Sequence, residues 1–591
     1  MRLPFIADAL GASFAVTAIA VFIVTAAILL GIYAFIRKRR GLKWGKAVPA
    51  LLIVIALIVG VVAGALKGMQ QPGGLNRQVG KVLTLDENTN KFPRQIEVDM
   101  AAFDALIDRV GEDRLREMKD RFTGADMTAR HKMRVEHGYT SSDMLAYYVW
   151  QMKGQGGGST AKDAKGNAYY RAVMELDPRA IEAAEKAGEA DPNNPMHGAI
   201  VLVKGNIAVD GLVNDSGSWA LADSKATADS DVVKHLREGG AIIAGRTNQS
   251  EFANFLTTRG PNGFSGRGGQ TLSPQGPLTV DPLGSSTGSA TAVALDYADV
   301  TIGTETSGSV LAPAGAAGVV GLKAAHEGCS ISGIVPIDDR IDSVGFLGRS
   351  LRDVQLAHDA TCWKGKASGD AAAEKPGDEE SATADRDKTA KDGAKPKKIM
   401  VLGEVPQSLK DLAKKGDLEV VEAPQKVKDL AGELDKANAE DILLGGFGPS
   451  LEKHLRGSTG AAKTVGDVAK YFDDNPDTAP YGFDTLRNSA DFDADERAKG
   501  AKELEKVKKL VADVDAELRA AGVDALVTQS TDLATFSLAG VPRISVPLEK
   551  KPAGEMLGEE SPEVAFQVTA ARQDALPQVM AIAEALKPDA R

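Results

Sequence analysis

Two long uncharged stretches near the N-terminus constrain this 591-residue chain more than any other feature. Residues 9–36 and residues 47–66 contain no Asp, Glu, Lys or Arg. Each stretch is long enough to cross a hydrocarbon layer of about 30 Å as a helix. A cleaved signal peptide is the alternative for the first stretch, but this stretch is too long and has no basic leader before a short apolar core. The sequence therefore predicts a transmembrane hairpin over residues 1–67.

The loop between the two predicted spans is basic. Residues 37–46 hold six Lys or Arg residues and no acidic residue. Such loops remain on the cytoplasmic side of a membrane. Both ends of the hairpin then lie outside, together with everything after Lys67. We expect a multi-pass cell-membrane protein with two spans and an extracytoplasmic body.

The body of the chain is acidic. Eight basic residues against Asp8 give residues 1–67 a formal charge of +7, so the overall charge of −11 leaves −18 for the remainder. Contacts with phosphate need clustered Lys and Arg, and an acidic body therefore argues against a nucleic-acid partner. The only cysteines are Cys329 and Cys362, which excludes a disulfide-dense scaffold and a four-cysteine metal site. One bridge between them would fit an oxidising compartment, but we expect two unpaired buried thiols.

Short apolar runs that alternate with helical segments and glycine turns indicate an α/β domain with a largely buried sheet. Residues 68–138 are predicted to be a linker and a helical segment, and helical spacing of apolar residues extends over residues 97–153. A long charged helix is predicted over residues 493–520 and a last helix over residues 562–586. Residues 364–398 are charged and almost free of large apolar side chains, which predicts a disordered insertion. The predicted strands cover residues 199–203, 241–244, 300–302, 399–402, 525–527 and 543–546.

Small residues and hydroxyl groups cluster in two short segments of the sequence. Residues 284–289 read GSSTGS just before a helical run, and residues 303–309 read GTETSGS just after a strand. Loops of this kind at a helix start present backbone N–H groups and hydroxyls to a ligand, although each could also be an ordinary turn. Lys204 follows a buried apolar run, where a lysine is costly unless it is neutral or paired.

Together these segments resemble the amidase-signature family. The family pattern appears in order as residues 241–248 (AIIAGRTN), 268–271 (GGQT), 284–286 (GSS), 303–306 (GTET) and 318–323 (GVVGLK). The resemblance is greatest to the branch that contains bacterial peptide amidases. It implies an amidase-signature fold over residues 139–591, with a mixed central sheet that is covered by helices on both faces and preceded by the two transmembrane helices.

The resemblance also implies a catalytic triad. Ser309 corresponds to the nucleophile, Ser285 to a bridging serine that follows a cis peptide bond, and Lys204 to the base. A serine hydroxyl is a weak nucleophile and needs such a base. The implied substrate is an amide or peptide-like small molecule, and this chemistry needs no metal and no cofactor. The implied oxyanion hole consists of the backbone N–H groups of Thr306, Ser307, Gly308 and Ser309.

Three positions depart from the usual family pattern. Leu311 stands where the family usually has Arg, Glu305 where it has Asp, and Ala324 where it has Pro. Since Leu311 removes a charge near the nucleophile, the alternative function is a catalytically degenerate amidase-like module for binding or assembly at the cell envelope. A third possibility, an amidotransferase subunit that acts on aminoacyl-tRNA, disagrees with the hairpin and the acidic body.

A second motif overlaps the first serine loop. Residues 284–288 also match the Gly-x-Ser-x-Gly nucleophile elbow centred on Ser286, which would need a later acid and a histidine such as His358 or His454. Neither histidine has a recognisable context, so we expect Ser286 to support the triad by hydrogen bonding. The pair His326 and Glu327 lacks partners at metal spacing and is predicted to be a surface pair.

Overall fold

The computed structural model describes residues 96–586, except residues 97, 155–169, 278–279, 363–396, 404, 406, 416–417, 529–533, 548–564 and 572. The predicted spans at residues 9–36 and 47–66 lie outside the described residues, as does most of the predicted insertion. Of the helices that are described, none combines the length and the apolar character needed to cross a membrane. Residues 87–591 form one compact unit.

The strands of the described residues are β1 (Val173–Leu176), β2 (Ile200–Lys204), β3 (Ile242–Thr247), β4 (Phe264–Ser265), β5 (Gly269–Gln270), β6 (Val300–Glu305), β7 (Val320–Lys323), β8 (Ser343–Gly348), β9 (Lys397–Val401), β10 (Leu418–Glu422), β11 (Ala525–Thr528), β12 (Arg543–Pro547) and β13 (Ala565–Thr569). Eleven of these strands form a mixed sheet at the centre of this unit, in the order β1-β3-β2-β6-β8-β7-β12-β13-β11-β9-β10. Strands β2, β3 and β6 run parallel to one another, as do β9, β10 and β11, whereas the neighbours between these two groups pair antiparallel. A separate ribbon pairs β4 with β5.

The helices surround this sheet. They are α1 (Ala101–Val110), α2 (Glu112–Phe122), α3 (Met127–His137), α4 (Ser141–Gly154), α5 (Arg179–Ala187), α6 (Asp231–Glu238), α7 (Thr287–Ala294), α8 (Leu311–Ala317), α9 (Leu351–Thr361), α10 (Gln407–Lys414), α11 (Gln425–Asp435), α12 (Ala439–Gly457), α13 (Val465–Asp474), α14 (Asp484–Asp491), α15 (Ala494–Ala520), α16 (Ala534–Leu538) and α17 (Leu576–Leu586).

Successive residues of β2 pack on opposite faces of the sheet, as the period of a strand requires. Val201 belongs to a buried apolar cluster that includes Val354 of α9. Its neighbour Leu202 belongs to another cluster that includes Phe103 of α1. Helices therefore bury both faces of the sheet, and the predicted α/β architecture with a mixed sheet is confirmed.

Most of the predicted elements are present. The six predicted strands correspond to β2, β3, β6, β9, β11 and β12, and the helical spacing over residues 97–153 corresponds to α1–α4. The long charged helix is α15, which begins after Asp493 because the side chain of this residue accepts a hydrogen bond from the backbone N–H of Glu496. Residues 397–398, which the prediction assigned to the insertion, lie in β9.

The prediction of a single helix over residues 562–586 is wrong. Strand β13 occupies residues 565–569 and pairs antiparallel with β12, with Val568 opposite Ile544. Phe566 and Val568 alternate with polar neighbours, which suits a strand next to a partner that is already in the sheet. Helix α17 begins only at Leu576.

The prediction of unpaired cysteine thiols is also wrong. Cys329 and Cys362 form a disulfide, with their Cα atoms 4.6 Å apart. The bridge joins the segment after β7 to the C-terminal end of α9. The two cysteines are 33 residues apart in the sequence, and this spacing does not indicate a contact. The contact arises only from the way in which β7, β8 and α9 pack.

Candidate active site

Lys204 ends strand β2 and is completely buried. Its Nζ atom donates to Oγ of Ser285 at 2.7 Å and to Oγ1 of Thr304 at 3.0 Å. Burial lowers the pKa of Lys204 to about 7, and the negative charges of Asp342 and Glu305 oppose this shift. The amine is therefore held among hydroxyl groups, where its neutral form is accessible near neutral pH.

Ser285 follows a cis peptide bond with Gly284 and precedes helix α7. Its side chain, like that of Ser286, is fully buried. Ser286 donates its hydroxyl to the backbone oxygen of Thr304 at 3.1 Å, and its backbone N–H donates to the backbone oxygen of Ser309 at 2.9 Å. Ser286 thus joins the two loops that hold Ser285 and Ser309.

The loop of residues 306–309 connects β6 to helix α8. Gly308 has a φ of +87°, in the left-handed region that glycine adopts without steric cost. Within the described part of the chain, no acceptor takes the backbone N–H groups of Ser307, Gly308 or Ser309. Since paired backbone N–H groups are the rule in folded proteins, this loop offers three donors to a bound molecule.

Glu305 holds the backbone that follows this loop. Its Oε2 atom accepts hydrogen bonds from the backbone N–H groups of Val310 and Leu311, at 2.7 and 3.0 Å. Its Oε1 atom accepts from Oγ of Ser537 at 2.7 Å, and Nη1 of Arg543 donates to the same hydroxyl oxygen at 2.9 Å. The carboxylate therefore lies between the start of α8 and a buried cation on β12.

Asp342 contacts the first side chain of this loop, that of Thr306. Its Oδ1 atom accepts from Oγ1 of Thr306 at 2.5 Å, and its backbone oxygen lies 2.6 Å from Nδ1 of His326. Burial raises the pKa of Asp342 to about 7, and hydrogen bonds from Thr306 and from the backbone of Ile337 and Asp338 oppose this shift. Burial thus favours the neutral carboxyl group of Asp342, as it favours the neutral amine of Lys204.

A cavity is lined by Asn254, whose side chain lies next to Gly284, but Lys204, Ser285 and Ser309 are not among its lining residues. A Cβ atom on Gly284 would lie 3.0 Å from Nδ2 of Asn254, so glycine lets this wall of the cavity come close to the backbone of the serine loop. The lining is mixed, with aromatic, apolar and polar groups. It includes Glu251, Asn254, Thr257, Phe264, Pro480 and Tyr481.

The wall of this cavity has an unusual backbone. Phe252, Ala253 and Asn254 have φ values of 46°, 56° and 77°. Non-glycine residues in this region are strained, and such residues cluster at functional sites. Glu251, just before them, accepts a hydrogen bond from the backbone N–H of Gly266 at 2.8 Å, and burial raises the pKa of its carboxyl group to about 8.

Comparison with known proteins matches residues 160–431 to the Amidase family model. Residues 160–431, a little under half of the chain, are thus similar to this family. The chain is 35% identical over 239 residues to a putative amidase of Arthroderma benhamiae, which is 39% of this chain and 39% of that protein. The chain thus matches about two fifths of the length of this curated relative.

Solved structures share the fold of the amidase-signature domain. An amidase family protein from Bacillus anthracis has a TM-score of 0.66 at 24% identity, and the similarity covers 84% of this chain and 97% of that one. A peptide amidase from Stenotrophomonas maltophilia has a TM-score of 0.64 at 23% identity, with 79% and 96% of the two chains covered. At these identities the likeness establishes the fold.

The structure brings several residues to the candidate active site that sequence reasoning missed. Thr304 and Asp342 contact the predicted site residues Lys204 and Thr306. Ser537 contacts Glu305, and Arg543 contacts Ser537. Thr304 lies inside a quoted motif and could have been found there. Ser537 and Arg543 are more than 200 residues away along the chain from Glu305, and no motif marks them.

The alternative centred on Ser286 has no support in the amidase-signature domain. The hydroxyl of Ser286 contacts the backbone of Thr304, while His358 lies beside Asp359 and the disulfide. Of the predicted surface pair, Glu327 is exposed, whereas the ring of His326 is partly buried and its Nδ1 atom lies 2.6 Å from the backbone oxygen of Asp342.

Proposed function

We propose that the chain is an amidohydrolase in which Ser309 attacks an amide carbonyl. The contact between Lys204 and Ser285 carries this proposal, because a fully buried amine 2.7 Å from a hydroxyl is placed to receive its proton. With a pKa of about 7, the amine of Lys204 is neutral in a large fraction of molecules at neutral pH. The family match and the fold of the structural neighbours support an amide-hydrolysing enzyme.

The proposed first step forms a bond between Oγ of Ser309 and the carbonyl carbon. The proton of Ser309 passes to Oγ of Ser285 as the proton of Ser285 passes to Nζ of Lys204. The carbonyl oxygen becomes negatively charged and is stabilised by the N–H groups of residues 306–309, of which those of Ser307, Gly308 and Ser309 have no other acceptor among the described residues.

The second half of the reaction releases both products. The tetrahedral intermediate collapses, the C–N bond breaks, and the proton returns from Lys204 through Ser285 to the leaving amine. Water then attacks the acyl carbon and gives one proton through Ser285 to Lys204. The bond between this carbon and Oγ of Ser309 breaks, the proton returns to Ser309, and the acid leaves. The chain's own groups move every proton in this scheme.

The proposed substrate is a small peptide-like amide. The cavity that Asn254 lines combines aromatic and proline surface from Phe264, Pro480 and Tyr481 with the carboxamide of Asn254, whose Nδ2 atom lies near Gly284. Such a mixture favours an uncharged molecule that has both apolar groups and amide hydrogen-bonding groups.

We also propose that the hairpin of residues 1–67 anchors the enzyme in the cell membrane, with the amidase-signature domain outside. The charge pattern of residues 37–46 supports this orientation. The disulfide between Cys329 and Cys362 supports it independently, because structural disulfides persist mainly in oxidising compartments.

A covalent serine probe tests the proposed activity. The wild-type protein should react with a fluorophosphonate, and mass spectrometry should place the modification on Ser309. The Ser309→Ala variant should be neither labelled nor active, while Ser286→Ala, at a hydroxyl that contacts only backbone, should still be labelled at Ser309. A folded wild-type protein that is never labelled and cleaves no amide would instead support the non-catalytic binding module.

A further inference from the structure

We propose that Cys329, His358 and Cys362 form a metal-binding site when their disulfide is reduced. The two sulfur atoms and one ring nitrogen of His358 all lie within 4.8 Å of one another. Convergence of three soft or borderline donors on one point is the basic requirement for coordinating a transition metal. This site is separate from the proposed triad and does not depend on the proposed activity.

Local structure presents two of these donors together. His358 and Cys362 are four residues apart at the end of α9, so their side chains lie on the same face of the helix. The backbone N–H of Cys362 donates to the backbone oxygen of His358 at 2.7 Å, which holds this last turn in place. Cys329 reaches the same point from the segment that follows β7.

The imidazole of His358 is already oriented. Its Nδ1 atom lies 3.1 Å from Oδ1 of Asp359, and its ring meets the ring of Phe346 edge-on with the centroids 5.6 Å apart. Metal-bound histidines almost always direct their other ring nitrogen to a carboxylate, a carbonyl or water. In the neutral tautomer whose Nδ1–H points to Asp359, the lone pair lies on Nε2 and can bind a metal.

The donor set selects the class of ion. Two thiolates and an imidazole suit Zn²⁺ and similar divalent transition metals, whereas Mg²⁺ and Ca²⁺ require oxygen ligands. Three protein ligands leave a fourth tetrahedral position for water. The side chain of His358 is 13% exposed, which gives an ion a path from solvent, while both cysteines are buried.

The disulfide and the metal-bound state of Cys329 and Cys362 exclude each other. A dithiol reductant gives up two electrons and two protons, its own sulfurs become a disulfide, and Cys329 and Cys362 each become a thiol. Binding of Zn²⁺ then releases both thiol protons and forms two metal–sulfur bonds. The pair is consequently a disulfide in an oxidising medium and a metal site in a reducing one.

Cobalt binding tests the proposal in the full-length protein. The protein is reduced with a dithiol, separated from it without oxygen, and titrated with Co²⁺. We expect one equivalent to bind with a sulfur-to-cobalt charge-transfer absorption, and Zn²⁺ to displace it. Because the chain has only two cysteines, this absorption reports on Cys329 and Cys362 alone. The oxidised protein should show no such band.

Variants assign the third ligand. His358→Ala should weaken Co²⁺ binding at least tenfold, and His137→Ala, at an exposed imidazole outside the cluster, should leave it unchanged. An unchanged affinity in His358→Ala would overturn the proposal, as would a reduced wild type without the charge-transfer band. If His358→Ala does not fold, alkylation of the reduced wild type decides. Zn²⁺ should protect both cysteines from iodoacetamide, and lack of protection also overturns the site.

Discussion

Nζ of Lys204 lies 2.7 Å from Oγ of Ser285, and neither side chain is exposed to solvent. The lysine thus loses the water that normally stabilises its charged form and keeps only a few polar contacts. Burial accordingly lowers the pKa of its amine to about 7, against the opposing charges of Asp342 and Glu305. A lysine in this state can act as a base near neutral pH, and its titration should control the rate of the proposed reaction.

We expect kcat/KM to rise about tenfold per pH unit below pH 7 and to level off above it. The rate rises with pH because only the neutral form of Lys204 accepts a proton, and this form predominates above its pKa of about 7. The check is a pH–rate profile between about pH 5 and pH 9 with a neutral amide substrate. A rate that falls across this range would contradict the role of Lys204, and Lys204→Arg, which stays charged, should be inactive throughout.

Asp342→Asn should shift this profile to lower pH. The negative charge of Asp342 raises the pKa of Lys204, so its removal stabilises the neutral amine. The amide oxygen of Asn can still accept the hydroxyl of Thr306, which Asp342 now binds at 2.5 Å. We expect the midpoint to move down by about half a unit to one unit, in line with the loss of one nearby charge.

Glu327→Gln is the control for this shift. Glu327 is exposed, and its substitution removes the same charge from the same segment of the chain. Its profile should coincide with that of the wild type. A midpoint that moves equally in both variants would mean that net charge, rather than the position of Asp342, sets the titration.

Lys204 and residues 303–309 could be singled out in the sequence because each lies in a short contiguous motif at the end of a strand, and residues 284–289 because they stand at the start of a helix. Parallel strands β2 and β6 are neighbours in the sheet, so Lys204 and Thr304 meet at the same edge. Arg543 could not be predicted in this way. It reaches the site only because β12 pairs with β7, with Arg543 opposite Lys323, and this pairing depends on the topology of the whole sheet.

The disulfide should contribute about 3–4 kcal/mol to the free energy of unfolding, as expected for a closed loop of a few tens of residues. The Cys329→Ala/Cys362→Ala variant should lose this amount in urea unfolding followed with a metal chelator present. Wild-type protein treated with a reductant under the same conditions should lose a similar amount. If the variant is as stable as the oxidised wild type, the two cysteines are not bonded in solution.

The proposed membrane hairpin implies a topology that reporter fusions can check. A reporter that works only outside the membrane, fused after Arg591, should be active, and a second one placed between Arg40 and Lys43 should be inactive. The physical reason is that basic loops, such as the predicted one over residues 37–46, remain on the cytoplasmic side. Replacing its six basic residues with Gln should weaken this preference. Activity of a cytoplasmic reporter alone after Arg591 would reverse the orientation.

Glu305→Gln should loosen the loop that holds Ser309. The carboxylate accepts two backbone N–H groups at the start of α8 and the hydroxyl of Ser537, which also binds Arg543. An amide has only one acceptor oxygen, so at least one of these bonds is lost and the buried cation Arg543 loses its nearby negative charge. We expect unfolding by urea to show a loss of about 2–3 kcal/mol.

The same substitution should lower kcat about 10- to 100-fold, because Glu305 holds the backbone of Val310 and Leu311, which follows the proposed oxyanion hole of residues 306–309. Measurements of KM and of the rate at which a fluorophosphonate labels Ser309 distinguish a defect in the loop from a loss of stability. A defect in the loop lowers kcat and the labelling rate together, while KM changes little. Glu305→Asp keeps the charge and should recover part of both activity and stability. If Glu305→Gln loses stability but keeps the full kcat, then Glu305 supports only the fold, and the backbone of residues 306–309 holds its shape without it.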